Sequence, residues 1–307
     1  MRGNACVRAV NCAVVLVLSA GGVSAATDSP GSSIPAAESR GSLGDARFSL
    51  TPAEPEPTPE PSTKTGDSDE ELAKKLANPV ANLISIPFQF NYIEGYGPND
   101  AGQMLLNIQP VVPFTLTEDW NLIVRTILPV VWQESPAPGV DNEFGLGDTL
   151  QSFFFSPKDP VGGWILGVGP AFQWPTATSG ELGTGQWGVG PTAVALRQEG
   201  GWTYGILANH VWSFAGPDTD PDINATFLQP FLIYTWPTAT GLGLNTQSTY
   251  DWNQSQWTVP INLFATQVVR LGKLPVQFLL GGTYYAESPD NGPEWGLRFQ
   301  ITILLPR

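Results

Sequence analysis

Thiols, imidazoles and positive charges are scarce in this chain. Its 307 residues hold two cysteines, Cys6 and Cys12, and one histidine, His210. Both cysteines fall in an N-terminal stretch that reads as a removable leader, so the mature chain can form no disulfide and carries no thiol chemistry. Only 14 Lys and Arg stand against 28 Asp and Glu, a formal net charge of -14. Nucleic acid is thereby excluded as a partner, because a phosphate backbone needs bases to neutralise it. Long apolar runs are missing too. The one apolar stretch, from about Cys12 to Ala20, is too short to cross a bilayer as a helix.

Glycine (33), proline (29) and tryptophan (11) are plentiful instead. The chain begins with Arg2 and Arg8 before the apolar run, and the small residues Val23, Ser24 and Ala25 follow it. Residues 1–25 therefore read as a secretory signal peptide. Residues 26–67, with "TPAEPEPTPEPSTKTGD", have too few large apolar side chains to offset the entropy of ordering, and read as a disordered Pro-rich linker. Next, "SDEELAKKLANP" predicts a short helix within 68–80. Ser68 and Glu71 make a capping box, Glu70 and Glu71 precede Lys74 and Lys75 by four residues, and Asn78-Pro79 ends it.

Residues 81–307 read as strands. In "PEWGLRFQITILLPR" Trp295, Leu297, Phe299, Ile301, Ile303 and Leu305 share one face, and Gly296, Arg298, Gln300 and Thr302 the other. Twelve such runs can be marked, joined alternately by short turns and longer loops. An even count with that alternation is the plan of an up-and-down outer-membrane β-barrel, apolar outside and polar within. Tryptophan and charge favour lipid over a soluble sandwich. Trp120, Trp164, Trp202 and Trp236 abut short turns, while Trp132, Trp174, Trp187, Trp212, Trp252, Trp257 and Trp295 abut long loops. These are two aromatic girdles. From Trp120 to Trp132 is roughly 40 Å along a strand, or roughly 30 Å of height at the usual tilt. The long loops carry acids, Glu94, Asp141, Asp218 and Asp290 among them, and no base; Lys158, Arg197, Arg270, Lys273 and Arg307 lie on the short-turn side. Pro87, Pro110, Pro129, Pro170, Pro191, Pro230 and Pro260 fall inside strands, where a missing donor predicts bulges.

The stretches "LANPVANLISIPFQFNY", "LNIQPVVPF", "EDWNLIVRTILPV", "GLGDTLQSFFFSP", "GPTAVAL", "LANHVWSFAG", "STYDW", "QWTVPIN" and "YYAESPDNGPEWGLRF" resemble a family of bacterial outer-membrane proteins, the so-called neuromedin U-like transporters. That family is similar to barrels of the phenol meta-pathway degradation group. The resemblance covers about residues 73–307 and implies a barrel that passes small molecules, aromatic or apolar ones among them. It brings no catalytic or binding residues with it. The chain departs from the family in its long Pro-rich segment and in ending at Arg307, where such barrels commonly finish on an aromatic residue.

The polar face predicts the lumen: Ser85, Gln89, Asn91, Asn107, Gln109, Arg125, Gln173, Asn245, Gln247, Asp251, Asn262, Gln277 and Arg298. It is rich in amides. The two arginines need partners, and Asp148, Asp251 and Glu294 are the candidates. His210 shares the outer face with Trp202, Tyr204, Ile206 and Trp212, so a catalytic His would need a nucleophile from a neighbouring strand. Asp218, Asp220 and Asp222 are spaced like an EF-hand opening but lack its glycine and closing glutamate. They read as an acidic surface loop in loose contact with divalent cations and lipopolysaccharide. No metal or cofactor is expected. The expected partners are outer-membrane lipid and lipopolysaccharide, the barrel assembly machinery and a small-molecule solute. The leading expectation is an integral outer-membrane channel without enzyme activity in a Gram-negative-type bacterium. A surface lipid-modifying enzyme using His210 and a closed structural barrel are the alternatives. The helix should sit at the periplasmic mouth.

Overall fold

A computed structural model describes residues 67–305. The expected signal peptide, and the Pro-rich linker apart from Asp67, lie outside the described residues. Helix α1 (Asp69–Leu76) is followed by β1 (Ile84–Tyr96), β2 (Ala101–Ile108), β3 (Val111–Thr115), β4 (Trp120–Gln133), β5 (Glu143–Leu146), β6 (Thr149–Pro157) and β7 (Trp164–Trp174). Then come β8 (Trp187–Glu199), β9 (Trp202–Ala215), β10 (Asn224–Thr235), β11 (Thr240–Thr246), β12 (Ser248–Asp251), β13 (Gln256–Leu271), β14 (Leu274–Glu287) and β15 (Trp295–Leu305). All fifteen segments join one antiparallel sheet, and β1 pairs with β15 from Ile84–Leu305 to Glu94–Trp295. The sheet is a closed barrel. Three staves are each split in two, as β2/β3, β5/β6 and β11/β12, so the fifteen segments make twelve strands.

Proline explains the splits. Pro110 sits in the first, opposite Pro87's neighbourhood on β1, and Gln109 N–H reaches the Pro87 carbonyl at 2.9 Å. The second split faces Pro129, whose carbonyl accepts from Gly147 N at 3.0 Å. In the third, Gln247 lies between the Pro230 region of β10 and Pro260 of β13. Bulges were the expectation at these prolines, and of the seven two mark a register shift: Pro260, and Pro129, across which β4 pairs Val130 with Leu146 but Ile127 with Leu150. Elsewhere the chain keeps register and simply omits ladder bonds. Losing one donor costs a hydrogen bond, whereas slipping by one residue would turn every following side chain to the wrong face. Pro170 and Pro191 are paired with each other, and the ladders on either side of them skip their positions.

The exterior is apolar, with Phe90, Val168, Ile206, Leu263 and Leu280 among its exposed side chains. Tryptophans ring both ends, and all but Trp174 are more than a third exposed. They pack into belts: Trp202–Tyr234 (4.8 Å) and Tyr234–Trp236 (4.9 Å) at the short-turn end, Trp174–Trp187 (5.4 Å) and Tyr250–Trp252 (4.9 Å) at the long-loop end. A ladder closed on itself has no edge at which to unzip. The chain should therefore migrate differently in SDS before and after boiling. Identical migration would overturn the closure of β1 on β15.

The predicted capping box is present: Ser68 N–H reaches Glu71 Oε2 at 2.7 Å and Glu71 N–H reaches Ser68 Oγ at 3.2 Å. That use of Glu71 changes the charge pairing. Lys74 takes Glu70 at 2.7 Å as expected, but Lys75 turns back to Asp67 at 2.7 Å.

Candidate functional site: the barrel interior

Two cavities occupy the interior, of about 180 Å³ toward the short-turn end and about 150 Å³ toward the long loops. Both are lined by Gln89, Gln109, Arg125, Gln247 and Arg298, which therefore form the waist between them. Strand period two carries these side chains inward: Gln89 and Asn91 alternate with the outward Phe88, Phe90 and Tyr92 on β1, and Arg298 with Leu297 and Phe299 on β15.

The waist is a single hydrogen-bonded chain. Arg125 Nη2 donates to Gln109 Oε1 at 2.9 Å, and Gln109 Nε2 donates to Gln89 Oε1 at 2.9 Å. Gln89 Nε2 donates to Asn91 Oδ1 at 3.1 Å. From the other side Arg298 Nε reaches the same Asn91 oxygen at 2.8 Å, and its Nη2 reaches Gln247 Oε1 at 2.8 Å. A guanidinium only donates, so each amide must present its oxygen toward the nearer arginine. The two runs of donors meet at Asn91, whose own NH2 is left for the Leu105 carbonyl at 3.3 Å. Asp148, Asp251 and Glu294 were the expected arginine partners. The structure replaces them with amides: among the described residues no carboxylate lies within 4 Å of either guanidinium. Register is the reason. Asp148 falls in the split between β5 and β6, where it accepts from Thr184 N (2.6 Å), Thr184 Oγ1 (2.8 Å), Ala177 N (3.2 Å) and Gln173 Nε2 (3.3 Å). Asp251 Oδ1 accepts from the backbone of Asn253 (2.7 Å) and Gln254 (3.4 Å).

The structure places the remaining residues of the polar face as follows. Ser85, Asn107, Asn245 and Gln277 line one or other cavity, while Gln173, Asp251 and Asn262 are buried in the wall away from both. Asn262 bridges Asn245 (2.9 Å) and Thr283 (2.6 Å).

Sequence alternation missed an apolar half of the interior. Ile123, Phe154, Val194, Leu196, Leu207 and Phe231 form one buried cluster across β4, β6, β8, β9 and β10. These strands carry apolar residues on both faces, so the contrast that marks an inner face disappears. Val80, just after α1, inserts into that cluster. On the other side Ala73 and Leu76 pack against Ala239 and Val268. Arg270 pins the helix, with Nε 2.5 Å from Asp69 and Nη2 2.8 Å from the Asp67 carbonyl, and Gln198 Nε2 donates to the Lys74 carbonyl at 2.8 Å. The helix and residues 77–83 thus lie across the short-turn mouth and line the cavity beneath it. At the opposite end the 175–186 loop folds inward: Leu182 packs on Leu105 and Val131, and Asp148 holds its backbone.

His210 faces outward. Its Nδ1 meets Thr226 Oγ1 at 2.7 Å, Trp252 Nε1 donates to the same hydroxyl at 2.8 Å, and the ring lies 4.1 Å from that of Trp212. Nε2 is buried and makes no hydrogen bond of good geometry, although Asn224 is a polar neighbour on β10. In the acidic loop Asp222 accepts from Ser213 Oγ at 2.9 Å, and the three aspartates do not converge on one point.

No family model matches the chain, and no curated protein matches it. Solved structures do. The fold is that of an outer-membrane channel from Pseudomonas putida F1, with a TM-score of 0.57 over 73% of this chain and 96% of that one, at 16% identity. The outer-membrane phospholipase A of Escherichia coli gives a TM-score of 0.41 at 12% identity, over 72% of this chain and 90% of that one. The β-domain of the Bordetella autotransporter BrkA gives 0.43 at 11% identity, over 73% and 100%. The first likeness establishes the shared barrel architecture; the other two are too distant to carry an argument.

Proposed function

We propose that the chain is an outer-membrane channel that passes small molecules through a narrow lumen. One observation carries this reading: two cavities in series, joined at a polar waist, inside a closed barrel whose exterior is apolar and belted with tryptophan at both ends. The belts then sit at headgroup level, the acidic long loops face outward toward lipopolysaccharide, and the short turns with α1 face the periplasm. Residues 1–25 act as the export signal, and the barrel assembly machinery inserts the chain. The resemblance to the neuromedin U-like transporters belongs to this reading, as does the absence of a catalytic role. Purified full-length protein in planar bilayers should conduct ions in discrete steps. Steady absence of current would favour the closed structural barrel instead.

A second reading has one observation in its favour. Thr226, on the strand next to His210, puts a hydroxyl 2.7 Å from Nδ1. That is the geometry of a nucleophile beside a base, and it would face lipid. Against it, the hydroxyl already accepts from Trp252, and Nε2 has no orienting partner of good geometry. On the channel reading the site is a polar knot in the outer belt. H210A and T226A should then leave conductance unchanged, and neither they nor the parent should turn over phospholipid. Turnover by the parent that both substitutions abolish would establish the enzyme.

A further inference from the structure

The waist holds two positive charges and no negative one. A guanidinium has five N–H donors. Among the described residues Arg125 commits one side-chain hydrogen bond, to Gln109, and Arg298 two, to Asn91 and Gln247. Every acceptor they use is a neutral amide. The lumen carboxylates Asp148 and Asp251 hold loop backbones, Asp251 through Oδ1 alone, and neither lines a cavity. Amide dipoles solvate a guanidinium without neutralising it, so in a low-dielectric channel both charges remain available to an anion.

The cavity above the waist limits what that anion can be. Its wall carries an apolar patch of Leu105, Ile127, Leu150, Val211 and Phe227 beside the polar Asn107, Ser152, Asn209 and Thr249, while Arg125 and Arg298 lie at its waist side. The space is about 150 Å³. An apolar cavity of about that size in another protein holds one benzene ring. A polyhydroxylated anion would leave the hydroxyls that fall on that apolar patch without partners, at the cost of unmade hydrogen bonds. A neutral aromatic would fit the wall and leave the guanidiniums unanswered. A cation would be repelled.

We propose that the upper cavity and the waist together form a binding site for single-ring organic carboxylates, with the ring on the apolar wall and the carboxylate on the guanidiniums of Arg125 and Arg298. This rests on reading the lumen as a solute path and names the solute class for it. The two-faced interior is what gives the site its selectivity. A carboxylate released from the waist meets the lower cavity, where Arg125 and Arg298 are again part of the lining. The long loops are acidic, so discrimination occurs at the waist and not at the mouth. Surface repulsion of that kind is screened within about 8 Å at physiological salt.

The test uses purified full-length protein, benzoate as the probe, and benzyl alcohol and acetate as controls. Calorimetry should show benzoate binding about tenfold or more tighter than either control, because each control lacks one half of the recognition. In bilayers under a KCl gradient the reversal potential should report anion preference, and benzoate should reduce the chloride current. R125Q/R298Q keeps amide-type hydrogen bonding but removes both charges. It should lose benzoate binding about tenfold or more and lose anion preference, while R125K/R298K keeps the preference. Heat-dependent migration confirms that each variant is folded, and the two single Gln variants serve if the double one is not. Equal binding of benzoate and benzyl alcohol, or unchanged benzoate binding in a folded R125Q/R298Q, overturns the proposal. Current without any benzoate effect removes this site and leaves the channel. Benzoate binding that needs the arginines, without current, keeps the site and removes the channel.

Discussion

Deleting residues 27–78 should raise the single-channel conductance at least about twofold, because conduction follows the open cross-section and α1 lies across one mouth. Two kinds of contact hold the helix there. Ala73 and Leu76 bury apolar surface against Ala239 and Val268, and Arg270 clamps Asp69 and the Asp67 carbonyl. An eight-residue helix is too short to persist alone in water, so once unclamped it has little reason to stay folded in place. R270A gives the graded version. Both partners of the ion pair are about two-fifths exposed, which limits its worth to about 1 kcal/mol. That alone would enlarge an open population about fivefold, and raised salt should mimic it in the parent. Bilayer recordings of parent, deletion and R270A decide the matter. Unchanged conductance in the deletion would make the helix a spacer.

Substituting Gly190 or Gly169 with valine should abolish the folded barrel. A Cβ on Gly190 would fall 1.7 Å from the His210 carbonyl oxygen, and one on Gly169 would fall 1.9 Å from that of Phe153. Both obstacles are backbone, which cannot rotate away. These glycines stand next to Pro191 and Pro170, where the ladders skip positions and neighbouring strands close in on the gap. The clash would have to be relieved by parting strands, at a cost of about 3 kcal/mol or more. Gly282 is the control, since a Cβ there meets nothing within 4 Å. G282A should migrate like the parent in unboiled SDS samples, whereas G190V and G169V should run only as unfolded chain. A folded G190V would show that the strands can separate at the proline pair without opening the barrel.

Strand positions were readable because tryptophan and period two act together: Trp120 and Trp132 bracket β4, and Trp295 opens β15. The helix was readable because a capping box is local chemistry among four residues. Three things were hidden. The inner apolar wall was hidden because Ile123 lies between Leu122 and Val124, and three apolar residues in a row carry no phase. The arginine partners were hidden because charge suggests carboxylates, whereas register decides neighbours: Gln109 falls in the β2/β3 split beside β4, and that puts it in front of Arg125. The inward fold of the 175–186 loop hangs on Asp148 and Leu182, two residues without a local pattern.

The clamp on α1 also sets an order in time. Asp69 and Arg270 are separated by 201 positions, and the helix touches β10, β11 and β13, all from the second half of the chain. None of those surfaces exists when the helix leaves the ribosome. Its docking waits until the staves that form its seat have been laid down. Every newly built molecule therefore passes through a stage in which the barrel wall is growing and its helix is still undocked.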